Sequence, residues 1–467
     1  MKNLRVLLVN PPMQETEKKP PLGLLYVGAV LESTHVEVII IDANAKDMTF
    51  SQIESKIDEY NPEIIGLTAM TPTLGACERI CAAAKEKGIM TVVGGSGIIA
   101  DPVGSLSRFP SIDYGVTGEG ERTFPQLLRF IDKRVHLRDL KGVVLRKGTE
   151  GTPLMTAPQS HIQNLDEIPF PAYHLVESFD VDDYYAPSRS HRRYMGVITS
   201  RGCQNRCIFC DVPRVNSYTV RFRSPESVAN EVEWLHARYE FSRLRFWDDT
   251  FAQDRKRTQL LCERMKRFQL EWVCSTRVTQ VDETLLGLFR ESGCYRVEYG
   301  IESGDPETLK SIKKGITLDK ARNIIDQTVK AGLDVGAFFI IGFPSEDHQK
   351  VQHTLDFITE LAVEYGVDCS LSIATPYPGT ELHEITAKKR LILTDDWSKY
   401  TVQSFPVLRT EFLDAKEIWK LYLSFQSRLN RIRETRGMMP VRIASRISNR
   451  LGRTLVKGLV RMKGRVD

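Results

Sequence analysis

Two series of short apolar runs, each alternating with amphipathic segments, constrain the fold of this 467-residue chain. The first series lies within residues 1–135 and the second between residues 196 and 375. Alternation of this kind is typical of βα units, in which helices connect the parallel strands of one sheet. The length is sufficient for two or three domains, each with its own core. We therefore predict an α/β protein.

The first series predicts a doubly wound, flavodoxin-like parallel sheet. Helices are predicted between its strands, including Ser51–Tyr60 and Leu74–Lys87. The predicted strands are Leu4–Val9, Glu37–Ile41, Ile64–Leu67, Thr91–Val93 and Tyr114–Val116.

The loops after these strands are rich in turn residues, which allow a large planar ligand to lie against the backbone. No phosphate-binding loop and no G-x-G-x-x-G pattern follows the first strand, which disfavours a nucleotide. The candidate ligand-binding residues are Asn10, Pro11, Thr68, Thr71, Gly94, Gly95, Gly118 and Glu119.

The second series predicts an incomplete (β/α)6 barrel. Its predicted strands are Gly196–Thr199, Leu244–Trp247, Trp272–Ser275, Arg296–Tyr299, Val335–Ile341 and Ser370–Thr375. Barrel active sites lie at the carboxyl ends of the strands. The polar or glycine positions at those ends are Asp248, Asp249, Arg277, Glu302, Ser303 and Gly342.

Three cysteines, Cys203, Cys207 and Cys210, follow the first strand of the second series with the spacing Cys-x3-Cys-x2-Cys. Iron–sulfur clusters normally take four thiolates, so this loop predicts a 4Fe-4S cluster with one iron open to another ligand. The alternative is a structural zinc loop. Zinc requires a second short pair of ligands, but the other six cysteines are scattered and the loop has no histidine.

This spacing, with Phe209 before the last cysteine, resembles the radical S-adenosylmethionine (radical SAM) enzymes. In that family the open iron binds the amino and carboxylate groups of S-adenosylmethionine, and an electron from the cluster cleaves the sulfonium to a 5′-deoxyadenosyl radical. The resemblance covers about Tyr194 to Leu382 and implies an external electron donor, a flavodoxin or ferredoxin.

The resemblance also implies roles for the strand-end residues. Glu302 and Ser303 match the fourth-strand segment that binds the ribose and amino acid of S-adenosylmethionine, although a solvated carboxylate at a turn is the alternative. Arg277 is predicted to pair with the methionine carboxylate, or else to form a structural ion pair. Phe209 and Gly342 are expected to contact the cofactor; for Gly342 the alternative is a strand-terminating turn.

Asp248 and Asp249 are the predicted catalytic residues, because paired carboxylates at a strand end are suited to binding substrate or handling protons. A helix N-cap or a surface ion pair is the alternative role for each of them.

The first unit is similar to the cobalamin-binding domain that precedes the radical SAM barrel in one large subfamily, through Pro21–Tyr26 and Val116–Phe124. The motif Asp-x-His-x-x-Gly is absent after the first strand. The resemblance therefore implies that cobalamin is held without a lower histidine ligand. The alternative is a vestigial domain that only supports the barrel.

The predicted domains are residues 1–135 (cobalamin-binding-like), 136–190 (linker), 191–400 (radical SAM barrel) and 401–467 (helical extension). From Arg428 to Asp467 there are twelve Lys and Arg against two acids, whereas the whole chain has a net charge of +4. From Pro440 onward the pattern predicts a basic amphipathic helix that lies on anionic membranes. A helix docked on the barrel is the alternative, and the lack of interleaved aromatic residues disfavours a nucleic-acid partner.

We therefore predict a cobalamin-dependent radical SAM enzyme that methylates an unactivated carbon of a small or lipid-like molecule. A cyclase or oxidative rearrangement enzyme is the second hypothesis, and a cobalamin sensor or structural metal protein the third. A cytoplasmic location is expected, with peripheral membrane contact through the tail. The chain shows no secretory leader and no 18-residue apolar stretch. Its nine cysteines fit a reducing compartment.

Overall fold

The computed structural model of the protein describes residues 4–13, 18–146, 151–184 and 193–435. The predicted amphipathic tail from Pro440 lies outside these residues. The strands are β1 (Arg5–Asn10), β2 (Glu37–Asp42), β3 (Ile64–Thr68), β4 (Met90–Gly94), β5 (Tyr114–Val116), β6 (Val143–Arg146), β7 (Pro153–Met155), β8 (Tyr194–Val197), β9 (Ser200–Arg201), β10 (Arg221–Phe222), β11 (Arg243–Phe246), β12 (Glu271–Thr276), β13 (Cys294–Glu302), β14 (Asp334–Ile341) and β15 (Asp368–Ile373).

Helices connect most of these strands, and many begin at a side chain that accepts a hydrogen bond from the first turn, such as Thr49 or Asp282. The α-helices are α1 (Leu22–Glu32), α2 (Phe50–Tyr60), α3 (Leu74–Glu86), α4 (Ser96–Ala100), α5 (Pro102–Arg108), α6 (Gly120–Ile131), α7 (Val212–Asn216), α8 (Pro225–Arg238), α9 (Arg255–Met265), α10 (Glu283–Glu291), α11 (Pro306–Ser311), α12 (Leu318–Lys330), α13 (His348–Glu364), α14 (Glu381–Lys388) and α15 (Ala415–Thr435).

The first sheet has the strand order β2-β1-β3-β4-β5-β6-β7, and its first five strands are parallel. The order 2-1-3-4-5 is that of flavodoxin-like folds, whose ligands bind beyond the carboxyl ends of the strands. The predicted doubly wound domain is thus confirmed. The antiparallel strands β6 and β7 extend the sheet into residues 136–190, which the sequence predicted as a linker.

Strand β1 is buried on both faces, which explains its continuous apolar sequence. Val6 and Leu8 belong to one hydrophobic core, while Leu7 and Val9 belong to the core on the opposite face of the sheet. Both layers of helices are therefore required to cover this sheet.

The second sheet is fully parallel, with the order β15-β14-β13-β12-β11-β8. Its end strands β8 and β15 do not pair with each other, so the predicted six-stranded partial barrel is confirmed. The outer face packs on helices: the Phe339 ring lies 6.2 Å from Phe357 of α13, and Trp272 lies 5.2 Å from Phe289 of α10.

Helix α15, part of the predicted helical extension, covers the open edge at β15. Gln426 Nε2 donates to the Leu371 carbonyl at 3.2 Å, and Arg433 donates to the Cys369 carbonyl and to Asp368 Oδ1 at 2.9 Å. Covering an edge strand prevents it from pairing with another chain. No helix among the described residues is long and apolar enough to cross a bilayer.

We predict that Arg433→Met lowers the free energy of unfolding by about 2 kcal/mol, because the partly buried Asp368 carboxylate loses one of its two guanidinium partners. Guanidinium denaturation of the purified protein measures this change. Arg431→Met on the exposed face of the same helix is the matched control and should leave the midpoint unchanged. Equal midpoints for the two variants would contradict the role given to Arg433.

Candidate active site

The cysteine loop lies between β9 and α7, at the carboxyl end of the first barrel strand. Gly202 begins it with φ +101°, and a Cβ at this position would lie against the Thr219 carbonyl. Only glycine fits this conformation without strain. Cys203, Cys207 and Cys210 then follow, and all three are half-buried and free of disulfides.

The donor set of this loop fits an anionic iron–sulfur cluster. Asn205 Nδ2 donates to Cys203 Sγ at 3.2 Å, and Arg277 Nη1 lies 3.7 Å from Cys207 Sγ. Burial raises the pKa of Cys210 to about 12, and a bound metal deprotonates a coordinating thiol. A cubic cluster binds each cysteine at a different iron, so the three sulfurs need not converge on one point.

A zinc site receives no support from the geometry. Within the described ranges, no group of three or more His, Cys, Asp or Glu side chains is arranged to hold a single metal ion. The three cysteines thus remain predicted ligands of a cluster.

Asp248 and Asp249, the predicted catalytic pair, hold the backbone that leads into the cysteine loop. Asp248 accepts hydrogen bonds from the Thr199 and Ser200 N–H groups, at 2.6 and 3.0 Å, and from the Thr199 hydroxyl. Asp249 accepts from the Gly202 N–H at 2.8 Å. Burial raises the pKa of both carboxyls, that of Asp249 to about 6. These contacts support a positioning role, and proton handling stays a prediction.

Arg277, Lys314 and Glu302 form a buried polar network beside Cys207. Arg277 donates to the Lys314 carbonyl, and Lys314 Nζ lies 2.8 Å from Glu302 Oε1. Glu302 has φ +77° and follows a register shift in β13. Such backbone strain in a non-glycine residue is typical of functional sites. The network brings two predicted cofactor residues together and adds Lys314, which the sequence analysis missed.

The other predicted cofactor residues of the barrel lie around this network with different contacts. Ser303 is fully buried; its hydroxyl contacts the Thr354 hydroxyl at 3.0 Å and accepts from the Asp305 N–H at 3.1 Å. The Phe209 ring packs 5.7 Å from Phe343. Ser303 therefore supports the site from within the core, whereas Phe209 ties the cysteine loop to the end of β14.

Gly342 is held by Glu346, a second residue that the sequence analysis missed. Glu346 Oε2 accepts from the N–H groups of Gly342 and Phe343 at 2.6 and 2.9 Å, and Oε1 has no hydrogen-bond partner. Burial raises the pKa of Glu346 to about 8. The signal in the sequence was an acid four residues after a strand-ending glycine.

The carboxyl edge of the first sheet brings together most of the predicted cobalamin residues: Asn10, Pro11, Thr68, Thr71, Gly94 and Gly95. Asn10 Nδ2 donates to Asp42 Oδ1 at 2.8 Å. Met70, between Thr68 and Thr71, is 44% exposed. A Cβ on Gly95 would lie 2.6 Å from the Ala69 carbonyl, so the glycine keeps this loop tight. The edge presents the exposed Met70 side chain and closely packed backbone, features that suit the predicted cobalamin.

Gly118 and Glu119 have other neighbours. A Cβ on Gly118 would lie 3.2 Å from Gln159 Cβ. Glu119 Oε1 lies 2.8 Å from both Arg201 Nη1 and Arg221 Nη1, and Oε2 accepts from the Ile162 N–H at 2.6 Å. Burial acts to raise the pKa of Glu119, but the Arg201 charge and these hydrogen bonds hold it below its ordinary value. Its contacts support a link between the domains.

The carboxyl ends of the strands in the first sheet face the carboxyl ends of the barrel strands. Helix α4, after β4, contacts α7 after the cysteine loop, where Arg214 donates to the Ala100 carbonyl at 3.3 Å. Glu119, after β5, reaches Arg201 directly before the loop. A ligand at the edge of the first sheet would therefore lie next to the predicted cluster.

Comparisons with known proteins support the predicted family. The radical SAM superfamily model matches residues 197–358 and the B12-binding domain model matches residues 17–128. An uncharacterized methyltransferase of Pyrococcus horikoshii is 35% identical, with 92% of this chain and 94% of that protein covered. The chain belongs to the cobalamin-binding radical SAM family, and its cofactors are those predicted: a 4Fe-4S cluster, S-adenosylmethionine and cobalamin.

Two further likenesses were found. The anaerobic magnesium-protoporphyrin IX monomethyl ester cyclase of Rubrivivax gelatinosus is 27% identical, with 89% of this chain and 75% of that protein covered. The methyltransferase TsrM from Kitasatospora setae, solved with cobalamin and a 4Fe-4S cluster, has a TM-score of 0.68 at 20% identity, covering 83% of this chain and 75% of that chain. The last likeness shows the shared fold.

We predict that Glu346→Gln flattens the pH dependence of stability. A buried carboxyl with a folded pKa of about 8 keeps its proton while the unfolded group ionises, so it makes the protein progressively less stable from about pH 4.5 to pH 8. Glutamine retains the acceptor oxygen and cannot ionise. Melting temperatures between pH 5 and pH 9 test this. Asp347→Asn, which alters an adjacent N-cap, is the control, and parallel pH profiles for Glu346→Gln and wild type would reject the assignment.

Proposed function

We propose that the enzyme methylates an unactivated carbon of a small organic molecule. The observation that carries the proposal is the contact between the two carboxyl edges through Glu119, Arg201 and Arg221. When bound, the cluster supplies the electron that cleaves S-adenosylmethionine, and cobalamin carries a methyl group. Their adjacency supports transfer of methyl to a substrate held between them.

The chain's own residues have distinct parts in this proposal. Cys203, Cys207 and Cys210 hold the cluster, and Asp248 and Asp249 fix the backbone before it. Arg277 and Glu302 are proposed to bind the carboxylate and amino groups of S-adenosylmethionine, since guanidinium and carboxylate complement those charges. Relatives named as methyltransferases also support the reaction.

Cobalamin is proposed to bind without a histidine on cobalt. His35 is the only histidine of residues 1–135, and it lies two residues before β2, at the amino end of the sheet. The corrin-binding edge is at the other end.

Cyclisation or rearrangement without methyl transfer is the second candidate, because cyclases also match most of the chain. The two reactions differ in how S-adenosylmethionine is used. Methylation consumes one molecule to methylate and one to start the radical, whereas cyclisation consumes only the second.

We predict that the reconstituted holoenzyme, reduced with dithionite, forms 5′-deoxyadenosine, and that triple alanine replacement of Cys203, Cys207 and Cys210 abolishes it. With substrate and methyl-labelled S-adenosylmethionine, equal amounts of 5′-deoxyadenosine and S-adenosylhomocysteine should accompany labelled product. Cys77→Ala is the control, because this buried cysteine belongs to α3 of the first domain and not to the cysteine loop. Product without S-adenosylhomocysteine would replace methylation by cyclisation, and undiminished 5′-deoxyadenosine in the triple variant would reject the cluster assignment.

The membrane contact of the tail is also a proposal, supported by its sequence pattern alone. Six Lys and Arg lie beside a row of Ile and Leu every fourth residue from Ile443 to Leu459. Each such cation adds about 1 kcal/mol of attraction near an anionic leaflet. A surface location would bring a lipid-like substrate to the enzyme.

We predict that the full-length protein sediments with anionic vesicles at low salt and that a truncation ending at Met439 does not. Salt should weaken the binding, since charges are screened over about 10 Å at 0.1 M. Neutral vesicles are the control. Equal sedimentation of both proteins would contradict the membrane contact and favour the alternative, a helix docked on the barrel.

A further inference from the structure

The cysteine loop has an outer side that none of the cofactor assignments uses. Cys207 Sγ lies 3.9 Å from the Lys313 carbonyl, and the Ile208 N–H donates to the Ile312 carbonyl at 3.2 Å. On this side the loop therefore runs along the turn that follows α11. Because Cys207 is a predicted cluster ligand and is only half-buried, the cluster would lie close to the protein surface here.

Three exposed cations border the loop on this side. Arg206 belongs to the loop, Lys310 to the last turn of α11, and Lys313 to the turn after it. Among the residues that the structure describes, neither Arg206 nor Lys310 contacts an acidic side chain. Lys313 Nζ pairs with Glu381 Oε1 at 2.6 Å, and both side chains are about half exposed. We call Arg206, Lys310 and Lys313 the basic face.

An exposed aromatic ring adjoins the basic face. The Arg206 guanidinium lies 4.9 Å from the centre of the Tyr218 ring, which is 48% exposed. This contact holds the guanidinium beside the loop without neutralising its charge. Tyrosine and arginine are also the residue types that most often contribute the binding energy of protein interfaces. The composition of this surface thus suits a protein partner.

The chemistry of the cluster specifies what such a partner would supply. The cluster gives one electron to each S-adenosylmethionine that it cleaves, so it must receive one electron from outside this chain. Electrons pass between proteins where the two redox groups come close together, and such complexes have small, weak interfaces. Opposite charges on the two surfaces bring the partners together quickly without a large buried area. An acidic partner therefore fits the basic face.

We propose that the basic face is the docking surface of the electron donor, a small acidic protein with a one-electron redox group. The redox group of the donor loses one electron and the oxidised cluster gains it. No bond forms or breaks in this chain, and no proton is transferred to it. The proposal depends on the cluster assignment but not on the reaction that follows, so it goes beyond the proposed methylation.

Reduction of the cluster by flavodoxin hydroquinone tests this proposal on the reconstituted holoenzyme, with absorbance followed by stopped flow. At low salt, Arg206→Glu and Lys310→Glu should each slow the reduction about tenfold, because the attraction to the acidic flavodoxin is lost. The wild-type rate should fall as salt is added, since charges are screened over about 10 Å at 0.1 M. Excess dithionite needs no docking surface and should reduce the cluster of each variant to the wild-type extent.

Calorimetric binding of oxidised flavodoxin gives a second readout that needs no electron transfer. Each charge reversal should weaken this binding about tenfold, and Tyr218→Ala about fivefold. Arg428→Glu is the matched control and should behave as wild type. This exposed arginine is on α15, five residues before Arg433, which pairs with Asp368 at the amino end of β15. It therefore lies at the other end of the barrel from the cysteine loop.

Iron content and melting temperature establish that each variant is loaded and folded. Wild-type binding and reduction by flavodoxin in both charge-reversal variants would overturn the proposal. An equal loss in Arg428→Glu, or an equal loss of reduction by dithionite, would overturn it as well. Formation of 5′-deoxyadenosine with dithionite is measured separately, so a failure of the proposed radical chemistry is distinguished from a failure of donor docking.

Discussion

A buried carboxylate between two guanidinium groups relates the two halves of this enzyme. Glu119 follows the last parallel strand of the first sheet, and Arg201 and Arg221 belong to the short β-ribbon that frames the cysteine loop. Glu121 also pairs with Arg201. Removing one member of a buried cluster leaves an uncompensated charge, which costs several kcal/mol. The two sheets also share one hydrophobic cluster, which includes Val6 and Leu8 of the first sheet and Leu244 and Trp272 of the barrel, and these ion pairs add a polar link between the facing edges.

The cluster of charges also bears on the chemistry, because Arg201 is two residues from Cys203. The backbone of this segment is held on its other side by Asp248 and Asp249. The predicted iron ligands are therefore fixed to the barrel and to the cobalamin-binding domain at the same time. In the proposed reaction, a methyl-carrying group and a radical source must keep a defined separation, and these contacts hold the loop between the two domains.

Local sequence patterns predicted the helices and strands of this fold. They could not predict the side-chain contacts that form only when the chain folds. The alternation of apolar runs and helices yielded both parallel sheets, with strand limits correct to within a few residues. The short strands β6 and β7 were missed because three or four residues carry too little periodicity. Glu119 was predicted to bind a cofactor from its loop alone, since its partner Arg201 lies 82 residues further on. Lys314 and Glu346 were missed although their partners, Glu302 and the Gly342 turn, lie only 12 and 4 residues away in the chain, because this spacing alone does not show which groups the two side chains reach.

The strained backbone at Glu302 shows how the barrel directs its chemistry inward. The register shift before Glu302 interrupts the ladder between β13 and β14, and a shift of this kind re-aims the next side chain. A non-glycine residue at φ +77° costs about 1–3 kcal/mol, which the buried pair with Lys314 offsets only in part, since both charges are desolvated. A ligand with its own charges at this position would complete the compensation. The strain is thus best explained by the bound state, in which Glu302 faces the proposed cofactor.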